Sequence, residues 1–247
     1  MKLSISAASY VGRVRHNNED MILVNDKFIR NGKHWTMADT ASSDRYLVAL
    51  ADGMGGHCSG EVASSEVLHN LQYYFSDLPM SLSVEDFTEA IFVWLESINN
   101  VIDSKGRCEP RFAGMGTTLV AFAFYNKDFY WMNCGDSRFY RMHGTALQQV
   151  STDHSLSNLM GREGHSNIIT NCIGGGCKTS FIDMLQCTSE VASGDIFLLC
   201  SDGLTDMLTD MEILTLLENG ADAAKLCNAA ELAGGFDNVS ACVIKIV

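Results

Sequence analysis

The chain has 247 residues, of which 30 are acidic and 17 basic, so its formal net charge is −13 with histidine neutral. Hydrophobic residues make up 47% and charged residues 19%, which excludes a disordered acidic tail and indicates a folded domain of enzyme size. The sequence has no basic run, which excludes a protein that binds the phosphate backbone of nucleic acid. No apolar run approaches the roughly 18 residues of a membrane span, and no signal peptide is recognised. With nine scattered cysteines, these features predict a cytoplasmic protein without membrane contact.

The first half of the chain alternates strand patterns with helix patterns. Alternating or clustered apolar residues indicate strands, and apolar residues at fourfold spacing indicate helices. The predicted elements are strands at Leu3–Ala7 and Arg45–Ala51, then helices at Glu61–Phe75 and about Val84–Ile102. Ser83 and Asp86 have the spacing of a capping pair at the start of the second helix. Asn31-Gly32, within a polar insertion over Asp26–Asp44, predicts a hairpin turn.

The second half of the chain is richer in strands. They are predicted at Thr117–Phe124, Phe129–Asn133, Phe139–Met142, Leu147–Val150, Ile182–Leu185, Ile196–Cys200 and Ser240–Ile246. Thr209 and Glu212 form a capping-box pattern before a helix at Asp210–Glu218, and another helix follows at Ala223–Ala233. The polar, glycine-rich stretch Ser151–Ser180 predicts a long surface loop. Short connections favour antiparallel pairing, so we expect an α+β fold in which helix pairs flank two stacked antiparallel sheets.

Aspartates recur where the predicted strands end, each of them beside glycine or asparagine. The five are Asp20, Asp52, Asp136, Asp202 and Asp237. A single Asp-Gly after a strand is usually only a turn, but strand ends from different sheets can meet at one edge and share a cleft. Five carboxylates in one cleft repel each other unless cations neutralise them. Oxygen ligands favour hard ions such as Mg²⁺ or Mn²⁺, and Gly53 allows its backbone carbonyl to approach such an ion.

Seven segments of the chain resemble the motifs of the metal-dependent protein phosphatases, the type 2C serine/threonine phosphatases, in their bacterial form. They are Val14-Arg15-His16-Asn17-Asn18-Glu19-Asp20, Ala51-Asp52-Gly53-Met54-Gly55-Gly56-His57, Gly116-Thr117-Thr118, Cys134-Gly135-Asp136-Ser137-Arg138-Phe139-Tyr140, Asp153-His154-Ser155, Ser201-Asp202-Gly203-Leu204-Thr205-Asp206 and Asp237-Asn238-Val239-Ser240. The segments follow the order of the family and span residues 12 to 240. The resemblance implies an αββα sandwich and one catalytic domain over residues 1–247, with a shortened flap at about 151–180.

The resemblance also implies a role for each acid. Asp52 matches the carboxylate that bridges two metal ions, and Gly53 matches the residue whose carbonyl binds one of them. Asp202 and Asp237 match ligands of the other ion. The remaining acids match outer positions, with Glu19 and Asp20 holding water of the metal shell and Asp136 binding a third, weaker ion.

Arg15 matches the arginine that binds the substrate phosphate, where its guanidinium can fork onto two oxygens as lysine cannot. His57 is a candidate general acid for the leaving oxygen. A metal-shell water could serve instead, and His57 would then only form hydrogen bonds at the start of the Glu61 helix.

The implied activity is hydrolysis of phosphoserine or phosphothreonine in proteins. Water activated by two Mn²⁺ or Mg²⁺ ions attacks phosphorus, and no covalent intermediate forms. The implied partners are phosphorylated proteins, those of a cognate serine/threonine kinase in bacterial signalling, and we expect the enzyme to be a monomer. A catalytically weak family member that binds or regulates phosphoproteins is the alternative, although every expected carboxylate is present.

Other chemistries are tested by spacing. The sequence lacks the Cys-to-Arg spacing of cysteine phosphatases and the Asp-x-Asp pair of aspartyl-phosphate enzymes. The run from Gly174 to Thr179 imitates a nucleotide-binding P-loop, but Cys177 stands where glycine is required. The other open alternative is a zinc site built from Cys172, Cys177, Cys187 and His165, whose spacing fits no compact zinc knuckle.

Overall fold

Two six-stranded antiparallel sheets lie face to face in the computed structural model, which describes residues 1–55, 59–161 and 168–247. In chain order the strands are β1 (Lys2–Tyr10), β2 (Met21–Val24), β3 (Lys27–Ile29), β4 (Gly32–Asp39), β5 (Arg45–Ala51), β6 (Gly53–Met54), β7 (Gly116–Thr117), β8 (Leu119–Tyr125), β9 (Asp128–Cys134), β10 (Arg138–His143), β11 (Ala146–Gln149), β12 (Ile173–Gly174), β13 (Asp183–Gln186), β14 (Ile196–Cys200) and β15 (Val239–Ile246). The first sheet has the order β11-β10-β14-β15-β1-β4, and the second has the order β13-β9-β8-β5-β2-β3. Strands β12, β7 and β6 form a small third sheet.

Helices cover the outer faces of the two large sheets. They are α1 (Ser59–Asp77), α2 (Val84–Cys108), α3 (Leu156–Leu159), α4 (Asp202–Thr205), α5 (Asp210–Glu218) and α6 (Ala223–Ala233). One apolar cluster joins the second sheet to α1 and α2, another lies between the sheets, and a third joins the first sheet to α5 and α6. Alternate residues of one strand serve different clusters, since Leu47 of β5 faces the helices and Val48 faces the other sheet. The predicted αββα class is confirmed, and no helix among the described residues is long and apolar enough to cross a bilayer.

The predicted helix starts are confirmed by their caps. Ser83 Oγ accepts a hydrogen bond from the Asp86 N–H at 3.0 Å. Thr209 N–H donates to Glu212 Oε2 at 2.8 Å, and Glu212 N–H donates to Thr209 Oγ1 at 3.3 Å. These bonds satisfy N–H groups that a helix leaves unpaired in its first turn, so a short polar pattern was enough to locate each boundary.

The predicted hairpin at Asn31-Gly32 is wrong. Strand β3, before this turn, pairs with β2 in the second sheet, whereas β4, after it, pairs with β1 in the first sheet along eight positions. The turn therefore carries the chain from one sheet to the other, with Asn31 at φ 57°. The two-residue hairpin of this insertion is Asn25-Asp26, between β2 and β3. A left-handed asparagine suits both a hairpin and a corner, so the pairing partner of β4 decides between them.

The prediction of a surface loop over Ser151–Ser180 is wrong in part. Helix α3 and strand β12 lie within it, residues 162–167 lie outside the described residues, and several of its polar side chains are buried. Asp153 is 6% exposed and its carboxylate accepts a hydrogen bond from Arg138 Nη2 at 2.8 Å. Polar residues can be buried when partners satisfy them, and polarity alone could not reveal those partners.

The stacking of α2 on the second sheet can be tested at Phe87. Its ring is fully buried and stacks on Tyr125 with ring centroids 4.3 Å apart. We expect Phe87→Ala to lower the free energy of unfolding by about 3–5 kcal/mol, because a cavity replaces the ring. Phe92→Ala, on the exposed side of the same helix, should cost less than about 1 kcal/mol. Urea unfolding measures both variants, and equal losses would contradict this account of the core.

Candidate active site

A polar cleft lies at one edge of both large sheets. Strands β5 and β14 end at this edge with Ala51 and Cys200, while β2 and β15 begin there with Met21 and Val239. Because these neighbours are antiparallel, the end of one strand meets the start of the next. The loops at this edge surround a pocket of about 280 Å³. It is lined by Arg15, Glu19, Asp52, Gly53, Met54, Gly55, Ile169, Asp202, Asp237 and Asn238.

The predicted acids influence each other across this cleft. Burial raises the pKa of Asp20 to about 7, and the charges of Asp202 and Asp237 add to the shift. Burial likewise raises the pKa of Asp52 well above its ordinary value, with further contributions from Asp20, Asp202, Asp136 and Asp237. For Asp136, burial first and then the charge of Asp202 raise the pKa to about 7. The structure therefore brings all five predicted aspartates together, at a cost in charge repulsion that a bound cation would remove.

One carboxylate oxygen in the cleft lacks a partner. Asp20 is fully buried, and its Oδ2 accepts a hydrogen bond from Ser201 Oγ at 2.8 Å. Its Oδ1 is also buried and has no hydrogen-bond partner in the part of the chain that the structure describes. Buried polar atoms are nearly always paired, so this oxygen fits a water molecule or hard cation beside it.

The donor set fits a partly hydrated hard cation better than zinc. Within residues 1–55, 59–161 and 168–247, no three His, Cys, Asp or Glu side chains are arranged as direct ligands of one ion. Mg²⁺ keeps several water ligands and needs only one or two carboxylates, whereas structural zinc takes four direct ligands. The sulfurs of Cys172 and Cys177 are 3.4 Å apart, but Cys187 lies in the core between the large sheets. His165, the fourth residue of the zinc alternative, lies outside the described residues.

Asp52 is held by Thr117, the last residue of β7, and by Thr118, which follows it. The Asp52 N–H donates to Thr118 Oγ1 at 3.0 Å, and the Thr118 N–H donates to the Asp52 carbonyl at 2.9 Å. Thr117 Oγ1 donates to the same carbonyl at 2.8 Å, and Thr118 Oγ1 lies 2.7 Å from Ser137 Oγ. These bonds interrupt the predicted strand Thr117–Phe124 at Thr118. The motif was recognised from the sequence, but its task of fixing the Asp52 backbone was missed.

Two glycines let the loops of the cleft approach closely. A Cβ on Gly53 would lie 2.2 Å from the Gly60 carbonyl oxygen, and a Cβ on Gly203 would lie 1.9 Å from the Asn238 carbonyl oxygen. The Gly60 oxygen cannot move without the start of α1, and the Asn238 oxygen cannot move without the segment that leads into β15. Glycine is therefore required at both places by packing, and the Gly53 carbonyl stays beside Asp52 at the pocket.

Asn238 connects the two ends of the chain at the cleft. Its Oδ1 accepts from the Glu19 N–H at 2.8 Å, and its Nδ2 donates to the carbonyls of Val11 and Asn17 at 2.9 and 2.8 Å. The side chain is 5% exposed, so these bonds are shielded from water. They place Glu19 beside Asp237, whose charge contributes to a raised pKa of Glu19 after burial. This positioning role was not predicted, although the residue stood in a recognised motif.

Arg15 and Asp237 form an ion pair at the mouth of the cleft. Arg15 Nη2 lies 2.7 Å from Asp237 Oδ2, and the arginine side chain is 53% exposed. The hydrogen bond that Arg15 donates to Asp237 is the largest contribution to a raised pKa of Arg15. A guanidinium has five N–H donors, so Arg15 can contact a further anion while this pair holds it over the pocket.

Asp136 is positioned through the glycine before it. The backbone N–H of Gly135 donates to the ring atom Nδ1 of His154 at 3.0 Å. The backbone N–H of His154 donates to the Gly135 carbonyl at 2.9 Å. His154 is thus bonded to both the N–H and the carbonyl of Gly135, which fixes the turn between β9 and β10. His57, the predicted general acid, lies outside the described residues, whereas Ile169 of the predicted flap lines the pocket.

Comparison with known proteins identifies the family. The model described as Protein phosphatase 2C matches residues 34–233. Protein phosphatase PhpP of Streptococcus pneumoniae is 32% identical over 259 aligned positions, which cover 99% of this chain and 98% of PhpP. Serine/threonine protein phosphatase PstP of Mycobacterium tuberculosis is 31% identical over 99% of this chain, which spans only 45% of PstP. The chain belongs to the protein phosphatase 2C family, as the resemblance predicted.

Solved structures share the fold. A serine/threonine phosphatase of S. agalactiae aligns with a TM-score of 0.83 at 27% identity, covering 99% of this chain and 100% of that one. The catalytic domain of PstP in complex with two manganese ions aligns with a TM-score of 0.76 at 30% identity, covering 100% of both chains. The two likenesses extend over nearly the whole chain and agree with the αββα architecture.

The positioning role of Thr118 predicts the effect of removing one hydroxyl. Thr118→Val keeps the shape of the side chain but leaves the half-buried Asp52 N–H without its acceptor. We expect a loss of about 1–3 kcal/mol in the free energy of unfolding. Thr145→Val, in the exposed turn between β10 and β11, is the control and should change it by less than about 0.5 kcal/mol. Thermal unfolding measures both, and an unchanged Thr118→Val protein would contradict the anchoring role.

Proposed function

We propose that this protein hydrolyses phosphoserine and phosphothreonine in proteins with the help of two hard divalent cations, Mn²⁺ or Mg²⁺. The observation that carries the proposal is that Asp52, Asp202 and Asp237 line one pocket, with Asp20 and Asp136 buried within reach of the charge of Asp202. Chains that share this family and fold support it, among them the two-manganese structure of PstP. A cleft of acids that repel each other is suited to cations and to an anionic substrate brought by them.

The proposed metal-binding groups divide into those that contact an ion directly and those that hold the water molecules around it. We assign the direct contacts to Asp52, the Gly53 carbonyl, Asp202 and Asp237, and the outer contacts to Glu19 and Asp20. Because no three acids of the described residues are arranged around one point, the carboxylates of Asp52, Asp202 and Asp237 would draw together when an ion binds. Asp136 would serve a third ion. Two bound cations lower the pKa of water and stabilise the charge of a phosphoryl group during in-line displacement.

Arg15 binds and orients the phosphate in this proposal. Its guanidinium is exposed at the mouth of the pocket and is held there by Asp237. Parallel N–H groups can fork onto two phosphate oxygens, which aligns the phosphorus with the attacking water. The proposal uses no side-chain nucleophile, so no covalent phospho-enzyme forms. His57 remains the hypothesis for the group that protonates the leaving oxygen.

The proposed substrates are phosphorylated proteins, those of a cognate serine/threonine kinase, met in the cytoplasm as part of bacterial signalling. A reducing compartment is supported by the cysteines, because none of the eight that the structure describes forms a disulfide.

The metal-dependent mechanism predicts that Asp52→Asn lowers the rate constant by at least about a hundredfold, since the amide loses the charge that would attract two cations. Phosphate release from a phosphothreonine peptide with Mn²⁺ measures this, and EDTA should abolish the activity of the unaltered protein. Asp77→Asn, at the exposed end of α1, is the matched control and should keep full activity. Full activity of Asp52→Asn, or activity that survives EDTA, would contradict the proposal. A protein that binds the phosphopeptide without hydrolysing it would instead support the binding-module alternative.

The role of Arg15 predicts a separate effect on substrate affinity. Arg15→Lys keeps the positive charge but removes the planar fork, so we expect KM for the phosphopeptide to rise about tenfold or more. Arg13→Lys, two residues away and also exposed, should leave KM unchanged. Steady-state kinetics with Mn²⁺ measures both, and equal KM values for the two variants would remove Arg15 from the phosphate site.

A further inference from the structure

A short turn around β12 places two cysteine side chains against each other. The sulfur atoms of Cys172 and Cys177 lie 3.4 Å apart, and both residues are free thiols. A disulfide bond is about 2.05 Å long, so the two sulfurs need to approach by only about 1.4 Å to form one. The turn contains most of the glycine-rich run from Gly174 to Thr179, for which the proposed phosphatase activity has no use.

Three glycines give this turn its shape. Gly174, Gly175 and Gly176 have φ angles of 75°, 61° and 82°, in the left-handed region that other residues rarely adopt. The Cys177 N–H donates to the Gly174 carbonyl at 2.9 Å, which folds the turn back on itself. A Cβ on Gly175 would lie 2.7 Å from Cys172 Sγ, so a larger residue at this position would displace the sulfur. The backbone conformation therefore brings the two cysteines together.

A buried asparagine of α2 holds both ends of the turn. Asn99 is 4% exposed, its Oδ1 accepts from the Gly174 N–H at 2.7 Å, and its Nδ2 donates to the Cys177 carbonyl at 3.2 Å. Ser180 Oγ lies 2.8 Å from Asn99 Oδ1 and also contacts the Cys172 carbonyl. Bonds that are shielded from water are costly to lose, so the backbones of both cysteines are restrained and their sulfurs stay within reach of each other.

We propose that Cys172 and Cys177 are a redox-sensitive pair, which hydrogen peroxide converts to a disulfide within the folded protein. The partly exposed Cys177 reacts first, when its thiolate attacks a peroxide oxygen, the O–O bond breaks, and a sulfenic acid and hydroxide form. The Cys172 sulfur then attacks Cys177 Sγ and displaces the sulfenic oxygen, which leaves as water with the Cys172 proton. Two thiols thus lose two electrons and two protons, and one peroxide is reduced to two water molecules.

Burial makes Cys172 the second of the two to react. It is 4% exposed, and burial raises the pKa of its thiol, with the neighbouring Cys177 adding to the shift. A buried thiol reacts slowly with an oxidant from solvent, but a sulfenic acid in contact with it is present at a high effective concentration. Disulfides that form in a reducing compartment are transient and are used in redox sensing, so this bond would form under oxidation and be reduced again by other thiols.

The turn supports the wall of the candidate active site. Strand β12 pairs with β7, and β7 pairs with β6, whose residues Gly53 and Met54 line the pocket. A Cβ on Gly175 would lie 3.7 Å from Met54 Sδ, so the turn lies directly behind this wall. A disulfide across the turn therefore restrains the segment behind the pocket. Formation of the bond does not depend on the proposed phosphatase activity.

Peptide mapping tests the proposal on the unaltered protein. The folded protein is treated with hydrogen peroxide, the remaining free thiols are blocked with iodoacetamide in denaturant, and trypsin cleaves after Arg162 and Lys178, which leaves both cysteines on one peptide. We expect this peptide to be unblocked and two hydrogen atoms lighter, and dithiothreitol to reverse both changes. A peptide blocked at both cysteines would overturn the proposal, as would a disulfide that joins either of them to another cysteine instead.

The role of Asn99 gives a matched pair of variants. Asn99→Ala removes the bonds to both ends of the turn, so the disulfide should form about tenfold more slowly. Asn100→Ala, at the exposed neighbouring position of α2, should form it at the rate of the unaltered protein. Circular dichroism checks that both variants are folded, and equal rates for the two would contradict the positioning of the turn by Asn99.

Thermal unfolding supplies an independent measurement. Because the bond closes a short loop whose ends already meet, the oxidised protein should melt about 2–8 °C above the reduced protein. Cys177→Ser should lack this increase and leave Cys172 without a disulfide. Cys108→Ser removes an exposed cysteine, and as the control it should keep both the bond and the increase. An oxidised protein that melts below the reduced one would contradict a bond that fits the native turn.

Discussion

Repulsion among carboxylates in one cleft is the constraint on which this molecule depends. Burial raises the pKa values of Asp20, Asp52 and Asp136, and the charge of Asp202 raises all three further. A folded chain gains nothing in stability from this arrangement without cations. The cleft must therefore be held by other interactions. The proposed function explains why such a cleft is present, because bound cations would remove the repulsion.

The holding interactions come from residues distant in sequence. Thr118 fixes the backbone of Asp52, Asn238 fixes the segment that carries Glu19, and His154 fixes the glycine before Asp136. Each uses neutral hydrogen bonds in places shielded from water, where a bond is costly to lose. The acids thus stay fixed although they repel each other. Such preorganisation is what stabilisation of a transferring phosphoryl group requires, because the charges need not rearrange during the reaction.

The insertion between the first two motifs contains a feature that the sequence pattern could not predict, namely the pairing partner of β4. Asn31-Gly32 has the composition of a hairpin, yet it joins two different sheets because β4 finds a longer partner in β1 than in β3. The same pairing creates the exposed edge with Trp35 and Met37. Local turn chemistry states that the chain must turn, but the partner of the following strand is a long-range choice. The zinc alternative had a similar weakness, since cysteine spacing says little about which sulfurs meet.

The amino-acid sequence by itself determined the periodic elements, the helix caps and the family, because these depend on neighbours within a few residues or on motifs in a fixed order. Helix starts at Ser83 and Thr209 are local hydrogen-bond patterns and were correctly predicted. Only the tertiary structure decided how the acids are held, which loop residue lines the cleft, and which strand pairs with β4. Those features depend on contacts between residues far apart in the chain, such as Glu19 with Asn238. No local pattern encodes such a contact, because it exists only after both sheets have formed.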